Sequence, residues 1–164
     1  MTYAPPPQPP SRPGPSMGHA GEAPISWPLY GASFAQAFGR YWKKYATFTG
    51  RASLSEFWWW RLANLLIILA IFAIMIGGAL VGVTVDPVTG RTEPGPLILV
   101  GVFLFIGFAL ATIVPELAIT WRRLHDANLP GPLFFLSFVP GVGNVILAVL
   151  CLLPTNPAGQ RFDH

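Results

Sequence analysis

The chain has 164 residues, of which 52% are hydrophobic and 10% charged, and its net charge is +3. One domain is the default for that length, and apolar residues gathered in long runs exclude a soluble core that alternates with polar surface. The single cysteine, Cys151, excludes an intrachain disulfide and a cysteine-rich metal cage.

Residues 1–33 form a separate regime. The stretch APPPQPPSRPGPSMGHAGEAPISWP carries nine prolines and few large apolar residues. It cannot bury enough surface to offset its ordering entropy, so it reads as disordered and partly polyproline II, a solvated tether or a ligand for a proline-binding module. It lacks the basic start and apolar core of a signal peptide.

From Phe34 to Phe48 the residues Phe34, Phe38, Tyr41, Tyr45 and Phe48 recur at three- and four-residue steps. That spacing predicts an amphipathic helix over 34–48 lying in the membrane interface. Arg40, Lys43 and Lys44 lie mostly off the aromatic face, which suits cations near anionic headgroups.

Gly50 supplies a turn, and Ser53 with Glu56 then forms S-x-x-E before an apolar run, the pattern of a capping box. In that reading Glu56 serves folding, and Glu56→Gln is nearly silent, with a loss of about 1 kcal/mol at most. Ala52 and Phe57 occupy the staple positions, and Trp58, Trp59 and Trp60 fall at headgroup depth. Residues 57–83 are long enough to span a bilayer core of roughly 30 Å with tilt. Gly78 and Gly82 make a GxxxG that lets a helix approach closely, either within the chain or in an oligomer.

The connection TVDPVTGRTEPGP is polar and rich in turn residues. Residues 97–118 form a second span. Pro115 removes one amide from it and clashes with the carbonyl of Ala111. Glu116, beside it, is an intramembrane carboxylate and so a functional candidate, unless it lies close enough to the interface to be solvated or paired with Arg51, Arg61 or Arg123. The third apolar segment, 133–153, is interrupted by Pro140, Gly141, Gly143 and the polar Asn144. It is either a kinked span or a re-entrant hairpin, and irregular backbone at that depth survives only where protein or water satisfies it.

Cations set the orientation. Arg12, Arg40, Lys43, Lys44, Arg51 and Arg61 precede the first span and Arg122 with Arg123 follow the second, eight against the two of Arg91 and Arg161. This places the N-terminus and the loop after the second span in the cytoplasm. A fully spanning third segment puts the C-terminus outside, and a re-entrant one returns it inside.

The stretch WRRLHDAN, residues 121–128, ends the second span. Arg122 and Arg123 are expected to snorkel to headgroups and to suit the negative helix end, with Asp126 paired to Arg122 and Asn128 as a left-handed cap. A zinc site needs three or four ligands, and the chain has three histidines, His19, His125 and His164, far apart in sequence. No metal, cofactor or catalytic set is therefore assigned. With helices 1 and 2 as antiparallel neighbours, Arg51, Glu56, Arg122, Arg123, His125 and Asp126 gather into one cytoplasmic cluster. Guanidinium groups there suit a phosphate headgroup, and protonated His125, with an unperturbed pKa of about 6.5, strengthens the hold.

GRASLSEFWWWRL from Gly50 and RRLHDANLPGP from Arg122, with Arg161 and Phe162 near the end, resemble the signatures of the small bacterial inner-membrane family known as domain of unknown function 805. The resemblance covers roughly residues 34–163, the integral membrane domain. Gly50, Arg51, Glu56, Trp58, Arg122, Arg123, Leu124, His125 and Asp126 match position by position. Leu54 stands where a basic residue is common, Asn128-Leu129-Pro130 where Gly-Arg-Ser is usual, and Gln160 and Asp163 where Asn and Gly are usual. The resemblance implies an all-α inner-membrane protein with three hydrophobic segments, and it carries no activity.

Two functions fit these residues. One is a non-enzymatic plasma-membrane protein whose cluster is structural or binds anionic lipid or a partner, with no nucleic acid involved. The other is a small-solute permease or membrane-embedded enzyme using Glu116, His125 and Asp126.

Overall fold

The computed structural model describes residues 24, 25 and 27–163. The proline-rich stretch through residue 23, with Arg12 and His19, lies outside the described residues, as does His164, and the expected disorder falls there. Residues 27–33 belong to the folded part. The Leu29 carbonyl accepts from the hydroxyls of Ser53 (2.6 Å) and Ser55 (3.2 Å), and the Ala32 amide donates to Ser55 Oγ at 2.9 Å.

Helix α1 spans Phe34–Lys43 and begins in a capping box of Ser33 and Gln36. It ends at Lys44 and does not run on to Phe48. Its buried residues are Ala37, Arg40 and Tyr41, followed by Lys44, while Phe34, Phe38 and Tyr45 are exposed. Two of the three cations thus lie inside the protein and away from headgroups, which corrects the expected orientation. The small side chain of Ala37 lets α1 lie close to α2, and Tyr41 stacks on Trp60 with centroids 3.3 Å apart. Of the aromatic stripe, Phe34, Phe38 and Tyr45 face outward and Tyr41 turns into the core.

Helix α2, Leu54–Leu80, starts at the predicted capping box. Ser53 Oγ accepts from the Glu56 amide and a Glu56 carboxylate oxygen from the Ser53 amide, both at 3.1 Å. Ala52 and Phe57 are buried together in the core. Trp58 and Trp59 are 40% and 39% exposed, as belt residues should be, whereas Trp60 is fully buried. The 27 residues of α2 extend about 40 Å at roughly 1.5 Å per residue, enough to cross with tilt.

A tight turn follows. A Cβ on Gly78 would lie 2.7 Å from the carbonyl of Leu97, so this glycine serves the approach of the returning chain. Gly82 has φ +77° and belongs to the turn, past the end of α2. The polar connection holds a short antiparallel hairpin, β1 (Thr84–Val85) with β2 (Thr92–Glu93), an addition to the all-α expectation. Amides of Thr89 and Val88 donate to the Asp86 carboxylate and hold its carboxyl below the usual range.

Helix α3, Ile98–Asp126, is the second long apolar helix, packs against α2, and continues without a break through WRRLHD. Pro115 lies inside it, and the Ala111 carbonyl that it deprives of an amide accepts from the Tyr45 hydroxyl at 2.9 Å. Asn128, at φ +61°, takes the left-handed conformation expected after the last turn.

The third apolar segment forms two short pieces, a 3-10 helix (Gly131–Phe138) and helix α4 (Gly143–Leu152), which pack against each other. Ten α-helical residues reach about 15 Å, half the bilayer core. The reversal needs Gly143, because a Cβ there would overlap the Leu136 carbonyl. Arg123 then ties the returning end to α3 by donating to the carbonyls of Cys151 (2.9 Å) and Leu153. The segment is a helical hairpin whose two ends lie at the same end of the helix pair. A closing 3-10 turn, Pro157–Phe162, comes back to the start of the domain, where the Phe162 carbonyl accepts from the Gly50 amide at 2.8 Å.

Core and site share that end. Tyr41, Ala52, Phe57, Trp60, Ala63, Ile119, Leu124, Leu147 and Cys151 form the buried apolar cluster. The far halves of α2 and α3 expose Leu65, Leu66, Leu69, Ile76, Leu99, Phe103 and Leu110, the surface of helices solvated by lipid.

Candidate functional site: a buried polar core at the motif end

Antiparallel packing of α2 and α3 brings the two motifs together, as the Ala52 amide donating to the Arg122 carbonyl at 3.0 Å shows. The charged residues sort into three networks and do not make one cluster.

The outermost joins both ends of the domain. Asp126 is fully buried, with one carboxylate oxygen 2.5 Å from Arg123 Nη1 and accepting from Thr155 Oγ1 at 2.7 Å. Its other oxygen accepts from the Tyr30 hydroxyl at 3.0 Å and lies 3.9 Å from Arg51. Burial, with Asp126 beside it, pushes the Tyr30 hydroxyl up to about 12. Arg51 is held bidentately by Asp163, at 2.9 and 2.8 Å. Asp126 therefore pairs with Arg123, three residues back, and the expected partner Arg122 faces elsewhere. Arg122 and Arg123 are buried and do not snorkel. The hairpin returns over Arg123, which donates to the Cys151 and Leu153 carbonyls, whereas Arg122 lies in the field of Glu56 and Arg40.

The second network lies between α1, α2 and α3. Glu56 accepts from Arg40 Nε at 2.5 Å, from the Leu29 amide at 3.2 Å and from the Ser53 amide. Lys44 and Arg122 sit in the field of the same carboxylate, and Lys44 donates to the Trp27 carbonyl at 3.3 Å. Burial pushes the Lys44 ammonium down to about 8, against the pull of Glu56 and with the repulsion of Arg122 and Arg40. Glu56 is thus an ion-pair partner as well as the expected cap.

The third network pairs Glu116 with Arg61 at 2.7 Å, with the Trp60 indole (2.6 Å) and the Asn64 amide (2.9 Å) donating to the same carboxylate. Of the three partners expected for Glu116, the structure selects Arg61. His125 belongs to none of these networks. Its ring stacks on Phe162 at 4.0 Å, and Nδ1 lies 3.1 Å from the Gly50 carbonyl. Asn144 is exposed in the first turn of α4. The alternative set of Glu116, His125 and Asp126 is distributed over three separate surroundings.

Residues 45–164 match the family described as protein of unknown function, DUF805. The chain belongs to the DUF805 family. Its relatives include inner membrane protein YhaI of Escherichia coli K12, 33% identical over 122 residues, which are 74% of this chain and 87% of YhaI. Inner membrane protein YhaH of the same strain is 28% identical over 120 residues, 73% of this chain and 87% of YhaH. No solved structure matches. With two helices long and apolar enough to cross a bilayer, this DUF805 chain is an integral membrane protein with inner-membrane relatives. All six cluster residues lie within the DUF805 match, whereas Arg40 and Lys44 precede it.

Sequence reasoning missed Arg40, Lys44, Tyr30, Thr155 and Asp163 as members of these networks. A signal existed for the first two, since Ala37, Arg40, Tyr41 and Lys44 share a helical face as good as the aromatic one. The small residue on that face marks the side that can approach another helix.

Proposed function

We propose that this DUF805 protein is a non-enzymatic, multi-pass protein of the bacterial inner membrane that engages anionic headgroups on the cytoplasmic side. In this reading residue 27 and residue 163 both face the cytoplasm, because the re-entrant hairpin returns the chain to the end that carries most of its cations. Arg51, Arg123, Asp126 and Asp163 are a structural clasp, joining the loop before α2, the end of α3 and the closing turn. Glu56 serves the same purpose for α1. The observation that carries the reading is the division of labour among the cations. Arg51 and Arg123 are buried against internal carboxylates, whereas Lys43 and Arg161 are exposed at the same end as the exposed Trp58 and Trp59. Exposed cations beside a tryptophan belt suit an anionic leaflet, at about 1 kcal/mol per cation near the surface.

The test is native mass spectrometry of the full chain released from nanodiscs of equal phosphatidylcholine and phosphatidylglycerol. Enrichment of phosphatidylglycerol is expected, and it should fall in Lys43→Gln/Arg161→Gln. Equal retention of the two lipids by the wild type would refute the headgroup preference.

A further inference from the structure

We infer that the motif end of this DUF805 core is a groove for an extended peptide, which the chain fills with its own residues 27–30 as a releasable strap. Side chains from α1, from the start of α2 and from the end of α3 line the groove. At its centre the Leu29 carbonyl accepts from the hydroxyls of Ser53 (2.6 Å) and Ser55 (3.2 Å), and the Leu29 amide donates to Glu56 Oε2 at 3.2 Å. On the α1 side Lys44 and Arg40 donate to the Trp27 carbonyl, and Arg40 also reaches the Ile25 carbonyl at 3.3 Å. On the α3 side the Tyr30 hydroxyl donates to Asp126 at 3.0 Å and accepts from Arg51 at 3.4 Å.

These contacts read a main chain more than a sequence. Both backbone groups of Leu29 and the carbonyl of Trp27 are bound by side chains of the core, the kind of hydrogen bonding that gives affinity for an extended segment. Tyr30 adds a side-chain contact that selects a hydroxyl-bearing residue. Arg51, Ser53, Ser55, Glu56 and Asp126 lie within the DUF805 match, whereas residues 27–30 precede it. Most of the receptor therefore belongs to the family core, and its occupant to the segment that leads into it.

Three observations mark the occupant as releasable. Its large side chains do not hold it, since Ile25, Trp27 and Tyr30 are 49%, 61% and 52% exposed, and the buried apolar residues of the segment are Pro28 and Ala32. What holds it is hydrogen bonding, whose net worth is modest because water replaces each bond on release. A cleft of about 240 Å³ lies between it and α1, lined by Ile25 and Leu29 from the segment and by Ala35, Gly39 and Lys43 from the helix. Gly31, at φ +72° with open space where a Cβ would sit, is the joint between the strap and the Ser33 cap of α1. Segments with few buried apolar contacts open locally, without unfolding the rest of the chain. The inference stands apart from the headgroup preference proposed above, since it needs neither Lys43 nor Arg161.

The test uses the full chain in phosphatidylcholine nanodiscs. Amide exchange of residues 27–33, followed by mass spectrometry, reads release of the strap, and exchange of α2 and α3 reads the rest of the fold. Anisotropy of a fluorescein-labelled peptide of residues 24–33 reads the groove in trans. In the wild type the strap should exchange at least about a hundredfold faster than the buried turns of α2. Gly31→Ala removes no contact but puts alanine in a left-handed joint, so strap exchange should rise about tenfold with α2 and α3 unchanged. Because the peptide binds only the open form, its apparent affinity should rise by the same factor. Ser55→Ala removes the bonds to the Leu29 carbonyl and the Ala32 amide, so it should also speed strap exchange about tenfold. It takes those bonds from either occupant, however, so its affinity for the peptide should stay near the wild-type value. Strap amides that exchange only in step with α2 and α3 overturn the releasable strap. A peptide that binds Gly31→Ala no better than the wild type, or Ser55→Ala as tightly as Gly31→Ala, overturns the groove.

Discussion

Glu56→Gln separates a helix cap from a buried ion pair. Glutamine keeps one carbonyl oxygen and can still accept the Ser53 amide, so the cap alone predicts a loss of about 1 kcal/mol or less. The structure adds Arg40 Nε at 2.5 Å, with both side chains nearly buried. Breaking a buried pair by neutralising one partner costs about 3–5 kcal/mol, because the remaining charge loses a carboxylate that it was buried against. The glutamine amide makes this worse, since its NH2 must face either the guanidinium or the Leu29 amide, both donors. A loss of about 3 kcal/mol or more is expected. It can be read from unfolding in mixed micelles of rising SDS fraction, followed by tryptophan fluorescence. A double-mutant cycle with Arg40→Gln should show a coupling of about 1–3 kcal/mol. If Glu56→Gln lies within 1 kcal/mol of wild type and the coupling is under about 0.5 kcal/mol, the ion-pair argument is wrong and Glu56 is a cap alone.

Three further outcomes are expected. Tyr45→Phe should cost about 0.5–1 kcal/mol by leaving the Ala111 carbonyl without its donor, and the loss should vanish in Pro115→Ala, where an amide returns; equal losses in both backgrounds would refute the link. The depressed Lys44 ammonium means that the unfolded chain binds more protons between about pH 8 and pH 10.4, so stability should rise through that window. Lys44→Met should flatten that rise, and an unchanged slope in the variant would assign it to another group. In a Cys151→Ala background, Val88→Cys at the hairpin tip should react with an impermeant maleimide on intact cells, and Gln160→Cys only after permeabilisation; labelling of Gln160→Cys from outside would refute the re-entrant return.

Much of the architecture was legible because it is local. The long spans follow from runs of apolar residues that no other environment accommodates, and the start of α2 follows from Ser53 and Glu56 three residues apart. Asn128 was legible as a left-handed residue for a similar reason, since few side chains tolerate that conformation. Trp60 was not. It has the same composition and neighbourhood as Trp58 and Trp59, and only the packing of α1 against its face of α2 buries it. Sequence spacing likewise placed Asp126 within reach of both Arg122 and Arg123.

What the sequence by itself determined, then, is the inventory: two spans, a broken third segment, an amphipathic helix before them, and most of the charges at one end. The tertiary structure decided the pairings. It sent the third segment back to its starting end, because α4 is too short to cross and Gly143 permits the reversal. That return covered the end of α3, so Arg123 and Asp126 became a buried clasp. It also turned the Arg40 and Lys44 face of α1 inward, toward Glu56 and Arg122. The reason is general to such chains. A residue's type is a property of the sequence, but the partner of a buried charge depends on helix rotation and register, which contacts far apart in the chain determine together.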